Sequence, residues 1–282
     1  MQTRAEQRRR EGRRVVLVPT MGALHEGHLT LVREALKHGD ALTVSIFVNP
    51  TQFGPGEDFK RYPRRLDEDI ALLESIATDV TLFAPTDDEM YPGGKAANAT
   101  WISVNGLDEH LCGPHRPGHF PGVATVVAKL INVCRPKVAV FGMKDAQQFV
   151  IIKRMVSDLL FGVEIIGVPT ARHSDGLARS SRNAYLSAEE RRQSVVLSKA
   201  VFRAEQLVRE GERNPEVLVE SMRSTLAESP AGRIQYAEVV DAETLQPLER
   251  IEAGRHVLAA VAVFFGTTRL IDNVFVRAPE DD

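Results

Sequence analysis

The chain has 282 residues, 43% of them hydrophobic, enough apolar surface for one large or two ordinary domains around a substantial core. Lys and Arg number 35 against 38 Asp and Glu, and the net charge of -3 excludes a general positive field that would draw the chain onto nucleic acid or an anionic membrane. The two cysteines, Cys112 and Cys134, form no C-x-x-C pair, so neither a disulfide framework nor a thiolate zinc site is indicated.

Six arginines near the start, Arg4, Arg8, Arg9, Arg10, Arg13 and Arg14, fall at helical spacing and read as a solvated helix face rather than a binding arm. Residues 15–19 (VVLVP) form a short β-branched apolar run, a strand, followed by a glycine, two histidines and the helical pattern Leu29, Leu31, Val32, Ala35, Leu36. The unit then recurs. Strands are expected at 41–48, 80–84, 137–141 and 164–169, with helices at 66–77, 123–134 and 147–160. Such alternation implies a parallel sheet covered on both faces, because parallel neighbours need crossover connections. The expected fold class is α/β: a Rossmann-like doubly wound parallel sheet over residues 1–170. Beyond it, helical charge-rich stretches at 188–210 and 215–228 precede strands at 235–241, 257–264 and 268–276. That grouping suggests a smaller C-terminal α+β domain at 171–282. No apolar run approaches the roughly 18 residues that span a bilayer, and no signal-like segment precedes the first strand, so a cytoplasmic protein is expected.

In an open parallel sheet, ligands collect at the carboxyl ends of the strands, where helix N-termini present N–H groups and partial positive charge. The first such end carries PTMGALHEGH at 19–28. His25 and His28, three apart, face the same way on an incipient turn, and Gly27 lets a phosphate approach the main chain, which suits nucleotide chemistry. A metal would need a third ligand, and the H-E-x-x-H spacing is absent. The second strand runs into FVNPTQFG, which delivers Asn49 and Gln52, uncharged amides suited to a small polar substrate. The strand ending at Phe141 runs into GMKDAQQ. There Lys144 is a mobile charge suited to phosphate, Asp145 could cap the next helix, and Gln148 lies one turn beyond Lys144. ARSSRNAYLS at 178–187 sets Ser180 and Ser181 between Arg179 and Arg182, a triphosphate clamp near the domain boundary. His110, Cys112, His115 and His119 crowd together without the paired spacing of a zinc site. Their segment reads as a flexible loop over substrate, with Arg116 or His119 touching an anionic group.

Taken together, these blocks resemble the pantoate-beta-alanine ligases, a family of the H-x-G-H nucleotidylyltransferase superfamily. PTMGALHEGH, FVNPTQF, RYPR at 61–64, RPGHFPGV, GMKDAQQ and DGLARSSRNAYLS follow the family's order and span most of the first 187 residues. The resemblance implies an ATP-dependent ligase. Pantoate attacks the α-phosphate of ATP, pyrophosphate leaves, and beta-alanine takes the acyl group from the pantoyl-adenylate, releasing AMP. It assigns catalytic roles to His28, the proton donor, and to His25, Lys144, Ser181 and Arg182. It gives ATP binding to Met21, Gly22, His25 and His28, to Gly142, Met143, Lys144 and Asp145, and to Ala171, Arg179, Ser180, Ser181 and Arg182. Substrate binding falls to Asn49, Gln52 and Gln148, and a Mg²⁺ site to Asp69 in the helix after RYPR. A homodimer is also implied, with residues 171–282 as a lid. The chain departs from the family's common residues at Thr51, Met143, Ala146 and Arg179, none of which removes a charge or amide assigned to chemistry.

Overall fold

A computed structural model describes residues 1–77 and 79–281. The chain begins with α1 (Gln2–Arg10), then alternates β1 (Val15–Thr20), α2 (Glu26–Ala35), β2 (Ala41–Ile46), α3 (Leu66–Glu74) and β3 (Val80–Phe83). A long return through α4 (Asp87–Met90) and α5 (His119–Cys134) leads to β4 (Val138–Gly142), and α6 (Ala146–Asp158) connects it to β5 (Glu164–Val168). The five strands form one parallel sheet in the order β3-β2-β1-β4-β5. From β1 the chain winds outward to β3, then returns to the other side of β1. That reversal opens a crevice at the carboxyl ends of β1 and β4, the usual ligand position of such sheets.

The sheet is held by the apolar runs that predicted it. Val16 and Val18 of β1, Leu42 and Val44 of β2 and Val138 and Val140 of β4 pack with Leu31, Val32 and Ala35 of α2 and Leu73 of α3. Each buried Val or Leu side chain here contributes about 1.5–3 kcal/mol. Alternation along β1 turns the fully buried Leu17 to the opposite face, where α5 packs. The expected α/β class is therefore the observed one. α5 starts four residues before its predicted position, because Gly118, at φ 79°, supplies a left-handed entry and Pro121 sits in the first turn, where its missing N–H costs nothing.

The arginine-rich start is helical, but it is not simply a solvated face. Arg9 and Arg10 are exposed, whereas the Arg8 side chain is buried, with Nη1 donating to Thr43 Oγ1 of β2 at 3.3 Å. Arg13 and Arg14 lie past the helix and pair with Asp79 at 3.2 Å and Glu164 at 3.1 Å. The segment docks onto the sheet because its carboxylate partners sit around β2, β3 and β5.

By compactness the chain divides into two units, one of Met1–Asn105, Arg116–Met143 and Ile151–Pro169, the other of Gly106–His115, Lys144–Val150 and Thr170–Asp282. In the second, α7 (Ala188–Gln193), α8 (Val196–Arg209) and α9 (Pro215–Leu226) precede β6 (Gly232–Asp241), β7 (His256–Phe265) and β8 (Thr268–Arg277), an antiparallel sheet in the order β6-β7-β8. The single helix expected at 188–210 is broken into α7 and α8. Ser194 Oγ donates to Arg191 O and Ser198 Oγ to Val195 O, both at 2.9 Å, and such back-bonding bends helices. Leu197, Ala200, Val201, Ala204 and Val208 form the buried stripe of α8, packed with Leu218, Met222 and Leu226 of α9 against Val257, Ala259, Val261 and Val263 of β7.

Candidate active site

The loop from β1 into α2 is shaped by one acidic residue. Asp69 of α3 is 1% exposed, and its carboxylate accepts from Ala23 N at 2.9 Å and Leu24 N at 2.6 Å. Burial pushes its pKa up, and the two backbone donors pull against that. Gly22 runs at φ 79°, and a Cβ there would lie 2.9 Å from Ile46 Cγ2 and 3.0 Å from Asp69 Oδ2. Gly22→Ala is therefore expected to destabilise the fold by about 2 kcal/mol, from the left-handed backbone and the crowding together. A thermal melt identical to that of the parent would contradict this.

The same loop delivers the histidine pair. His25 caps α2, its Nδ1 accepting from Gly27 N at 3.1 Å, while His28 Nδ1 accepts from His25 N at 3.3 Å. The ring centroids are 4.2 Å apart. Since both Nδ1 atoms accept, each neutral ring carries its proton on Nε2. The sequence expectation that the two imidazoles share one spot is met. In the same loop, Met21 Sδ accepts from Gln52 Nε2 at 3.2 Å, so the β1 and β2 loops touch through Met21 and Gln52.

Gly142 closes β4, and the turn Met143–Asp145 follows it, with Lys144 Nζ 3.6 Å from Asp145 Oδ1. Asp145 is thus tied to the lysine beside it. Gln148 is half-buried on α6. In the second unit, Arg179 N donates to Ala171 O at 2.9 Å, which brings Ala171 against the arginine-serine segment. Ser180 Oγ accepts from Arg182 N at 3.2 Å and Asn183 Oδ1 accepts from Ser180 N, a capping box opening the turn Ser181–Tyr185. The Ser180 hydroxyl is therefore a cap.

The family model for pantoate-beta-alanine ligase matches residues 1–275. The chain belongs to the pantoate-beta-alanine ligase family. It is 57% identical to a pantothenate synthetase of Salinibacter ruber over 99% of this chain and 96% of that protein. Among solved structures, pantothenate synthetase from Thermus thermophilus is similar at TM-score 0.86 and 46% identity, covering 93% of this chain and 92% of that one. A pantoate-beta-alanine ligase from Francisella tularensis, complexed with beta-gamma ATP and beta-alanine, is similar at TM-score 0.76 and 34% identity, covering 96% and 93%.

Two residues that the family pattern assigns to the site also hold its loops in place. Asp69 is buried and each of its carboxylate oxygens accepts one main-chain N–H, so it anchors the loop between β1 and α2. Asn49, 1% exposed, donates through Nδ2 to Gln52 Oε1 at 3.0 Å and Gly122 O at 3.2 Å. Its Oδ1 accepts from Thr51 and Tyr91, so both amide hydrogens and the oxygen are spent on holding the turn that carries Gln52.

The crowded histidine-cysteine loop is also resolved. Cys112 Sγ lies 3.3 Å from Tyr236 Oη and 3.3 Å from Arg269 Nη2, and His115 stacks on Tyr236, all within the second unit. His119 and Arg116 belong to the first, where Arg116 pairs with Glu57 at 2.6 Å rather than waiting for an anion. Among the described residues no three His, Cys, Asp or Glu side chains are grouped to hold a metal ion. Sequence reasoning missed one more support. Asn273 Nδ2 on β8 donates to Lys144 O at 2.7 Å, beside a buried Asp272 paired with Arg172 at 2.7 Å. No spacing announces contacts between residues a hundred or more positions apart.

Proposed function

We propose that the chain condenses pantoate with beta-alanine in two steps at the expense of ATP, forming pantothenate, AMP and pyrophosphate. Family membership over nearly the whole chain supports the reaction. The observation that carries the site is the His25–His28 pair at the carboxyl end of β1, linked through the adjoining Met21 to Gln52. A pantoate carboxylate oxygen bonds to the α-phosphorus as the bond to the pyrophosphate oxygen breaks. The beta-alanine amine then attacks the acyl carbon, the bond to the AMP oxygen breaks, and the amine loses its proton.

Charge accumulates on the nonbridging oxygens and the departing pyrophosphate during the first step. His28 Nε2–H is the proton donor there and His25 a second donor, because in each ring Nδ1 is already committed to the backbone. Lys144 supplies a positive charge, with Ser181, Arg179 and Arg182 as further phosphate donors. Gln52 and Gln148 hold pantoate. The Gln52 amide nitrogen donates to a thioether, a weak acceptor that a substrate oxygen displaces. Mg²⁺ is expected with ATP, and each Asp69 oxygen keeps a lone pair beyond the main-chain N–H it accepts, which is compatible with the family's assignment of Asp69 to the metal. On the family resemblance the chain works as a homodimer with residues 171–282 as a lid. Unpaired Cys112 and Cys134 suit a cytoplasmic setting. Among the described residues no helix is long and apolar enough to cross a membrane.

Incubation with ATP, pantoate and beta-alanine tests the reaction: AMP must form only when both acids are present. Pyrophosphate release with the AMP group retained on a phosphorylated acceptor, and no free AMP, would instead favour a nucleotidyltransferase, which the same fold also supports. Gln52→Ala is expected to raise the pantoate KM by roughly 10-fold or more while leaving the ATP KM near its parent value, as loss of one or two substrate hydrogen bonds implies. An unchanged pantoate KM removes Gln52 from the site.

A further inference from the structure

Gln52 is held from behind by a histidine, an arginine and a glutamate that take no part in the reaction steps. His119 at the start of α5 is 8% exposed; its Nδ1 lies 2.7 Å from Gln52 O and its Nε2 2.9 Å from Arg116 Nη1. A carbonyl oxygen only accepts and a guanidinium only donates. The ring must therefore be neutral, protonated on Nδ1 and accepting on Nε2. Arg116 in turn gives Nε to Glu57 Oε1 at 2.6 Å, Nη2 to Glu57 Oε2 at 2.8 Å, and a longer contact from Nη2 to Gln52 O at 3.4 Å. Burial raises the Glu57 pKa, but the forked guanidinium outweighs it and holds the carboxyl below its usual range. Glu57 also accepts from Gly54 N at 3.2 Å, which closes the loop after Gln52.

A second feature makes this contact rigid. A Cβ on Gly122, one turn into α5, would fall 2.6 Å from Thr51 O and 3.0 Å from Gln52 Cα. The helix and the 50–52 turn are therefore pressed together, with His119 pinning the carbonyl of the very residue whose side chain faces pantoate in the reading above. We propose that Glu57, Arg116 and His119 are positioning residues: a relay that fixes the Gln52 backbone and so sets its carboxamide for the acid substrate. The proposal rests on the assignment of Gln52 to pantoate. The His119 ring orients Gln52 and does not touch the reacting atoms.

The test compares His119→Ala, His119→Asn and Gln52→Ala by steady-state kinetics with pantoate and ATP varied separately. Misplacing a binding group by about an ångström costs up to roughly 10²-fold, so His119→Ala is expected to raise the pantoate KM about 10- to 100-fold with little change in the ATP KM. Asn places an N–H where Nδ1 stood, so His119→Asn is expected to recover most of that loss. An unchanged pantoate KM in His119→Ala, or an Asn variant no better than Ala, overturns the relay. If Gln52→Ala raises the pantoate KM and His119→Ala does not, only the relay fails; if Gln52→Ala has no effect, the substrate assignment fails and the relay with it. Should His119→Ala not fold, Glu57→Gln, which weakens the fork but keeps its shape, is expected to raise the pantoate KM selectively. Equal effects on both substrates from Glu57→Gln would then count against the relay.

Discussion

Lys144→Ala is expected to slow pantoate-dependent pyrophosphate release by roughly 10² to 10³, because removing one donor aimed at developing charge costs about 2.7 to 4 kcal/mol of transition-state stabilisation. Lys144 occupies the turn directly after β4, and Asn273 fixes its carbonyl at 2.7 Å while Asp145 lies 3.6 Å from its ammonium. The ammonium is therefore poised on a main chain that is held in place. Truncation removes the charge without disturbing that main-chain hydrogen bond, so folding should be close to normal. Burst measurements of pyrophosphate with ATP and pantoate alone isolate the first step. A release rate close to the parent's would remove Lys144 from the adenylation chemistry.

Asp69→Ala is expected to have the largest combined effect on stability and rate. It strands the N–H groups of Ala23 and Leu24, and Leu24 is itself buried. Losing two hydrogen bonds to a charged acceptor corresponds to about 3 kcal/mol or more. The loop released is the one that leads into His25 and His28, so adenylation should fall by at least about 10-fold even at temperatures where the variant is folded. Denaturant unfolding together with pyrophosphate release separates the two effects. A variant that loses stability but keeps full activity would show that the histidine pair does not depend on this anchor. If the loss of rate came from a missing Mg²⁺ contact, raising the Mg²⁺ concentration would restore activity; if it came from the released loop, it would not.

Much of the fold is legible because burial on both faces writes itself as continuous apolar runs. VVLVP and KVAVF announce β1 and β4 with no other information. The histidine pair is equally legible, since three-residue spacing fixes which way two side chains point at a helix start. What the sequence hid are the long-range polar contacts. Asp69 looks like any acidic residue in a first helical turn, and Asn49 like any amide at a strand end. Only the fold shows that one serves Ala23 and Leu24 and the other serves Gln52 and Gly122. His119 misled for a related reason: proline and glycine around it suggested a mobile loop, whereas Gly118 and Pro121 in fact start a helix.

The pairing of β1 with β4 joins Val16 to Val138 and Leu17 to Ala139, residues more than a hundred positions apart. During synthesis β1, β2 and β3 emerge long before β4, and in that interval β1, the centre of the finished sheet, is its apolar rim. An unpaired strand of this kind is a template for association with other nascent chains. The antiparallel sheet β6-β7-β8 joins strands in their order of synthesis, so its closure spans short stretches of chain. The slow step in making this protein should therefore be the arrival of β4, and variants that delay it should aggregate during expression rather than after purification.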